Sequence, residues 1–590
     1  MRLKPLRLGI LALGVMVWAA APLHAMADDP LPDGLLAAKG FDFAGPDALP
    51  DLLNDDGTPT IGDAGGNSQG AQGSSSGVQV NDPRLDNIQF FPNALPQPQR
   101  PYEFSIQSET SLATFGSTVV LGFNNSADQP VVLTPQNTVA FTHRFLSAVG
   151  VSHDGGHTWT ESSLPPIPGS PFTFGDPSVA VDRSGNFFYS SLGANAAGRS
   201  LVYVSRSTDG GRTFQPGSTV AIDPGADKEW IAAGKDPLNP TSDNVYVTWT
   251  SFKAASSQLM LGVSHDGGQT WTTRTVFAPV DNGVESAFLQ FSNPVVDQQT
   301  GRLFIPFLHG SDSDADFVKV LISDDGGQTF HFSNFNAPGA PSPTVFPNVT
   351  PGTFSDCGVA GGGRVVLHQG PNLGGGRAGL PVFRQSTRLI TQPTTVVANG
   401  RVFIVLNSST SGTFGDPNSQ SFIRLLVSPD GGGSWQGPFT IAPATAARPQ
   451  HVHPSISVDP EGQQVTVGYY AQLASGQIQF DATTAQVSSS NGRISVSDRA
   501  SEHLGPAFDL IPSNNPLPAV PFGAHRATNY DRTIQACYDL GEYTTAGRVQ
   551  GETIFGWGDN RNSWTGPAAS IAPGVHSQPD VFAAIPQNDQ

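Results

Sequence analysis

The sequence predicts an all-β fold, a β-propeller of seven four-stranded antiparallel blades, with six or eight as the neighbouring counts. Three observations predict it. An eight-residue box of the form Ser-x-Asp-Gly-Gly-x-Thr/Ser-Trp/Phe occurs five times, at Ser152–Trp159, Ser207–Phe214, Ser264–Trp271, Ser323–Phe330 and Ser428–Trp435. The box aspartates Asp154, Asp209, Asp266, Asp325 and Asp430 are 55, 57, 59 and 105 residues apart, so one unit is near the length of a four-stranded repeat. Short β-prone runs such as Leu201-Val202-Tyr203-Val204 and Val318-Lys319-Val320-Leu321-Ile322 precede the boxes. Each box therefore reads as a hairpin turn. Ser and Asp side chains hydrogen-bond the turn backbone, Gly supplies positive φ, and the closing aromatic plugs a core. With Gly at 66, Pro at 50 and only 13% charged residues, the composition favours turns over amphipathic helices.

The elements follow in order. Arg2, Lys4 and Arg7, the apolar run Leu8–Ala21 and Ala25-Met26-Ala27 form a secretory signal over residues 1–27, cleaved near Ala27. The run is too short for a spanning helix, so the expectation is a secreted or periplasmic chain without a membrane span. Residues 28–98 carry little apolar pattern and a Gly/Ser/Asn-rich stretch, and read as a flexible arm. A strand near Ile88-Gln89-Phe90-Phe91, or within 88–106, is expected to complete the last blade. The propeller then spans 99–575. Its inner strands open near Glu109, Asp176, Lys228, Asn293, Gln392, His453 and Tyr530, the last unit pairing Tyr530–Ile534 with Thr553–Trp557. The long box interval holds an insertion at 336–388, and 576–590 is a tail. Cys357 and Cys537 could pair or stay apart in an oxidising compartment. The net charge of −19 argues against nucleic acid or anionic membrane as partner.

The five boxes resemble the Asp-box, or BNR, repeat of sialidases, over about 105–570. The segments Asp227-Lys228-Glu229-Trp230-Ile231, Ser205–Gly211 and Trp557-Gly558-Asp559-Asn560-Arg561 resemble exported exo-alpha-sialidase-like proteins. That resemblance implies an exo-glycosidase with a Tyr–Glu nucleophile, an Asp acid/base and three arginines on the substrate carboxylate. The chain departs from the pattern in two places. It has no Phe/Tyr-Arg-Ile-Pro motif, and its blade count is seven where sialidases have six.

In a propeller the inner-strand starts gather at one end of the channel, so chemistry is sought there and not in the boxes. On the sialidase-type reading Tyr530 is the nucleophile, Glu109 or Glu229 its base and Asp176 the acid, because Tyr needs an adjacent base. Arg388, Arg526, Lys228, His453 and Asp531 would bind substrate. Two readings compete with this. The same residues could bind a glycan or a cation without turnover, in a non-catalytic carbohydrate- or protein-binding propeller, or only hydrate the channel. No metal site and no cofactor are expected for these residues or for the neighbouring His451. The partner expected is a glycan or glycoconjugate, and the chain is expected to be a monomer.

Overall fold

The computed structural model describes residues 77–82, 107–128, 131–133, 139–141, 144–170, 172–311, 317–333, 343–345, 392–410, 420–508, 530–531, 537–538, 543–566 and 574–587. These residues form an all-β propeller with four-stranded antiparallel blades. Three blades are simple meanders: Ala226–Lys235 through Thr272–Phe277, Thr394–Ala398 through Gln436–Ala442, and Gln450–Val458 through Arg493–His503. In a fourth sheet the inner strand is broken into Glu285–Gln290 and Val295–Val296, both paired to Leu303–Ser311. An eight-stranded sheet holds two consecutive antiparallel groups, which begin at Gln107–Phe115 and Phe172–Val181. A short parallel pairing of Arg144 with Phe172 and Phe145 with Thr173 joins them.

The inner strands touch in chain order, and Thr545–Val549 at the end returns to Gln107–Phe115 at the start. Equivalent hydrogen bonds staple successive inner strands. Val179 N–H donates to Ser111 Oγ at 2.9 Å, Ile231 N–H to Ser178 Oγ at 3.0 Å, and Thr395 N–H to Asn293 Oδ1 at 2.8 Å. Leu112 N–H donates to Thr545 Oγ1 at 2.9 Å and closes the ring. The cores lie between neighbours. Phe188, Val202 and Val204 of one group, for example, pack with Ile231, Val245, Val247 and Trp249 of the next.

Three sequence expectations are corrected here. The last inner strand is Thr545–Val549, because Thr545 carries the closing staple. Tyr530–Asp531 instead pairs with Cys537–Tyr538 in a separate two-residue ribbon. The outer strand of the last blade is Val78–Gln79, inside the segment expected to be a flexible arm. Val80 is buried in the core there, and Asn81 Nδ2–H donates to Asp580 Oδ1 at 2.9 Å. The final strand, Gly574–Ala584, runs well into the segment read as a tail. The expected strand at 88–106, the signal segment and Cys357 lie wholly outside the described residues. Of the insertion, only Pro343–Val345 is described, held by Val345 N–H on Val318 O at 2.9 Å.

The boxes are turn fasteners. Ser264 Oγ–H donates to Asp266 Oδ1, Gly268 N–H donates to Ser264 Oγ, and Thr270 donates through both N–H and Oγ–H to the Asp266 carboxylate. Gly267 and Gly268 have φ of 70° and 81°. Trp271 Nε1–H reaches Ser218 Oγ of the preceding blade at 3.0 Å, so the aromatic locks two blades together. Each box joins the third and fourth strands of a meander. It therefore lies at the opposite end from the inner-strand starts. Replacing Asp266 with alanine is expected to lower stability by about 1–2 kcal/mol through the lost hydrogen bonds. Ligand binding should be unchanged, which denaturant titration and binding measured side by side would check.

Candidate functional site

The inner strands share a local distortion that re-aims their first side chains. Glu109, Asp176, Lys228, Phe291 and His453 all have positive φ, between 49° and 60°. Ladder register slips at Ser108/Thr110, Gly175/Ser178, Asp227/Trp230 and Val452/Ser455. A bulge of this kind turns a side chain out of the ladder. Non-glycine residues held in this region store strain of about 1–3 kcal/mol each, and such strain clusters at functional sites. The repetition of the bulge around the ring sends these side chains toward one end of the channel.

Three of the sequence-predicted residues meet there. Lys228 Nζ lies 3.4 Å from Glu109 Oε1 and 3.3 Å from Asp176 Oδ2. Lys228 and Glu109 are buried, and the Asp176 side chain is 14% exposed. Asn124 bridges the two acids: its Nδ2–H donates to Glu109 Oε2 at 2.6 Å, and its Oδ1 accepts from Asp176 N–H at 3.0 Å. Gly175 is required beside it, because a Cβ there would stand 2.1 Å from Asn124 Oδ1. A second buried acid, Asp227, accepts from Gln290 Nε2–H at 2.5 Å.

Glu229 is 1% exposed, and no other described residue hydrogen-bonds its carboxyl oxygens. Burial pushes its pKa well above the usual carboxylate range, and the neighbouring Asp176 charge adds to the shift. Burial therefore favours its protonated form.

Two aromatic residues complete the cluster, and sequence reasoning gave neither a role. Tyr543 lies under Lys228, with its ring centroid 5.8 Å from Nζ, and its hydroxyl donates to Pro177 O at 3.0 Å. Burial raises its pKa well above the ordinary phenol, with Glu109 and Asp176 adding. Half-buried Trp230 packs edge-on against it at 4.9 Å. Trp230 was visible in the Asp-Lys-Glu-Trp-Ile segment. Tyr543 opens a strand, Thr545-Ala546-Gly547-Arg548-Val549, with too little apolar pattern to be recognised.

His453 packs edge-on against Tyr470 at 6.0 Å, and His451 lies on Tyr469 at 4.8 Å. Arg388 and Arg526, and the side chains of Tyr530 and Asp531, lie outside the described residues. Several described arginines pair elsewhere: Arg183 with Asp243, Arg302 with Asp324, Arg448 with Asp481 and Arg561 with Asp559. Among the described residues no three His, Cys, Asp or Glu side chains converge on a metal position, and no helix is long and apolar enough to cross a membrane.

No protein-family model matches the chain, and no curated protein matches it. Solved structures similar to it include a protein of unknown function from Dyadobacter fermentans, at 12% identity and a TM-score of 0.37, covering 72% of this chain and 98% of that one. The Hadza microbial sialidase Hz136 is 13% identical, with a TM-score of 0.36 and 75% coverage of both chains. A leech intramolecular trans-sialidase complexed with 2,7-anhydro-Neu5Ac is 10% identical, with a TM-score of 0.36, covering 82% of this chain and 91% of that one.

Proposed function

We propose that the protein is an exported, seven-bladed propeller that binds a glycan at the channel end where the inner strands begin. The observation that carries the binding reading is half-buried Trp230, braced by Tyr543 and set beside the Lys228–Glu109–Asp176 cluster. An aromatic face next to convergent carboxyl groups suits a sugar ring, which has an apolar C–H face and a rim of hydroxyl donors. The count of seven treats the eight-stranded sheet as two blades, since only a two-residue parallel bridge joins its halves. Export rests on the basic and apolar pattern of residues 1–27.

Binding without turnover is preferred to sialidase-type chemistry for a specific reason. The described tyrosine at the cluster, Tyr543, uses its hydroxyl on Pro177 O, and its raised pKa keeps the proton on. A nucleophilic tyrosine needs a base positioned to take that proton. Hydrolysis is the second reading, and Glu229 favours it: a carboxyl whose protonated form is favoured by burial and by the neighbouring Asp176 suits a general acid. Tyr530 remains the nucleophile proposed for that reading, with Arg388, Arg526 and Asp531 as substrate contacts.

The test is retention of the full chain on a glycan array, with release of 4-methylumbelliferone from a panel of glycosides measured in parallel. Binding without release is expected, and Trp230→Ala should weaken it by at least about 10-fold, in line with loss of an aromatic anchor. Turnover abolished by Glu229→Gln would establish the hydrolytic reading instead. Retention that is indifferent to Trp230→Ala would remove this site from the account.

A further inference from the structure

We infer that the ligand at this channel end is an uncharged glycan and that the site rejects sialic acids and uronic acids. This rests on the glycan-binding reading above. Among the described residues three acids, Glu109, Asp176 and Asp227, are grouped around or beside one ammonium, Lys228. That ammonium already lies within 3.4 Å of two of them, so its charge is shared before any ligand arrives. A ligand carboxylate entering here would face Asp176, the more exposed of the two paired acids, across a partly desolvated gap. Like charges at such range repel strongly.

Trp230 adds to the discrimination. Its ring face carries negative quadrupole density, which suits the C–H face of a pyranose and disfavours an anion laid upon it.

The experiment is equilibrium binding of the full chain to matched neutral, sialylated and uronate-bearing oligosaccharides, with wild type, Asp176→Asn and Trp230→Ala compared. Neutral glycans should bind on the order of 100-fold more tightly than acidic ones, the scale of an uncompensated like-charge contact. Asp176→Asn should narrow that gap by about 10-fold, because it removes the facing charge while keeping the shape. Acidic glycans bound as tightly as neutral ones, with Trp230→Ala abolishing both, would overturn the ligand class and leave the binding site standing. Retention of no glycan by folded wild type would overturn the binding reading and this inference with it. The wild-type comparison decides the ligand class even if a variant fails to fold.

Discussion

Replacing Lys228 with methionine is expected to lower the unfolding free energy by about 3–5 kcal/mol, the range for breaking a buried ion pair by removing one partner. Methionine keeps most of the stem volume but leaves Glu109 and Asp176 facing each other in a buried position. The expected loss is electrostatic, so it should reverse when the acids are neutralised. The triple variant Lys228→Met, Glu109→Gln, Asp176→Asn should recover most of the stability, because removing all charged partners from a buried cluster is often neutral. Denaturant midpoints of the two variants against wild type measure this. A loss below about 1 kcal/mol in the single variant would show that the cluster is far better hydrated than its burial implies.

Stability is also expected to fall as the pH rises from about 6.5 to 8. Glu161 is half-buried; its carboxyl accepts from Asp82 N–H and Asn125 Nδ2–H at 2.5 Å, and burial pushes its pKa up to about 8. Glu229 is shifted in the same direction by its burial. In this window the folded chain holds protons that the unfolded chain has already lost. The slope of unfolding free energy with pH is therefore negative there.

Below about 6.5 two buried histidines oppose the trend. Burial lowers His309 and His451 to about 4, so the fold keeps them neutral while the unfolded chain takes up protons. From 6.5 down to 5 these effects offset one another, and the profile should be nearly flat. Further down, the box aspartates Asp154, Asp209 and Asp266 lose their hydrogen-bonded stabilisation, since side-chain and backbone donors hold them at about 2. The maximum therefore lies near 5–6.5, with an alkaline loss of a few kcal/mol, on the order of 3, from the buried carboxyls. Glu161→Gln should flatten the alkaline limb. A rising limb between 6.5 and 8 would contradict these assignments.

The fold was legible because the box combines three local requirements in fixed order. Asp266 needs its turn donors, Gly267 and Gly268 need positive φ, and Trp271 needs a core, so the pattern survives as sequence. The last blade was misplaced because its identity lies in long-range contacts. Thr545 is recognisable only by the Leu112 N–H it accepts, and Val78–Gln79 only by the strand it pairs with across nearly the whole chain.

The candidate site was half legible for the same reason. Glu109, Asp176 and Lys228 stand out as charges at strand starts in a chain with few charges, and the structure brings them together. Tyr543 has no such mark, and its role arises only from closure of the ring, which sets it against Lys228. Which neighbour each bulged residue meets is set by the register slips, and no local sequence rule predicts those.

The most direct measurement is hydrogen–deuterium exchange of the full chain with and without the tightest-binding neutral oligosaccharide from the array. If the inner-strand starts form the binding site, protection should appear together at 107–112, 174–179, 226–231 and 543–546, segments distant in sequence that meet at one channel end. The box turns should be unchanged. Protection confined to the boxes, or to one of these segments without the others, would contradict a shared site at the channel end.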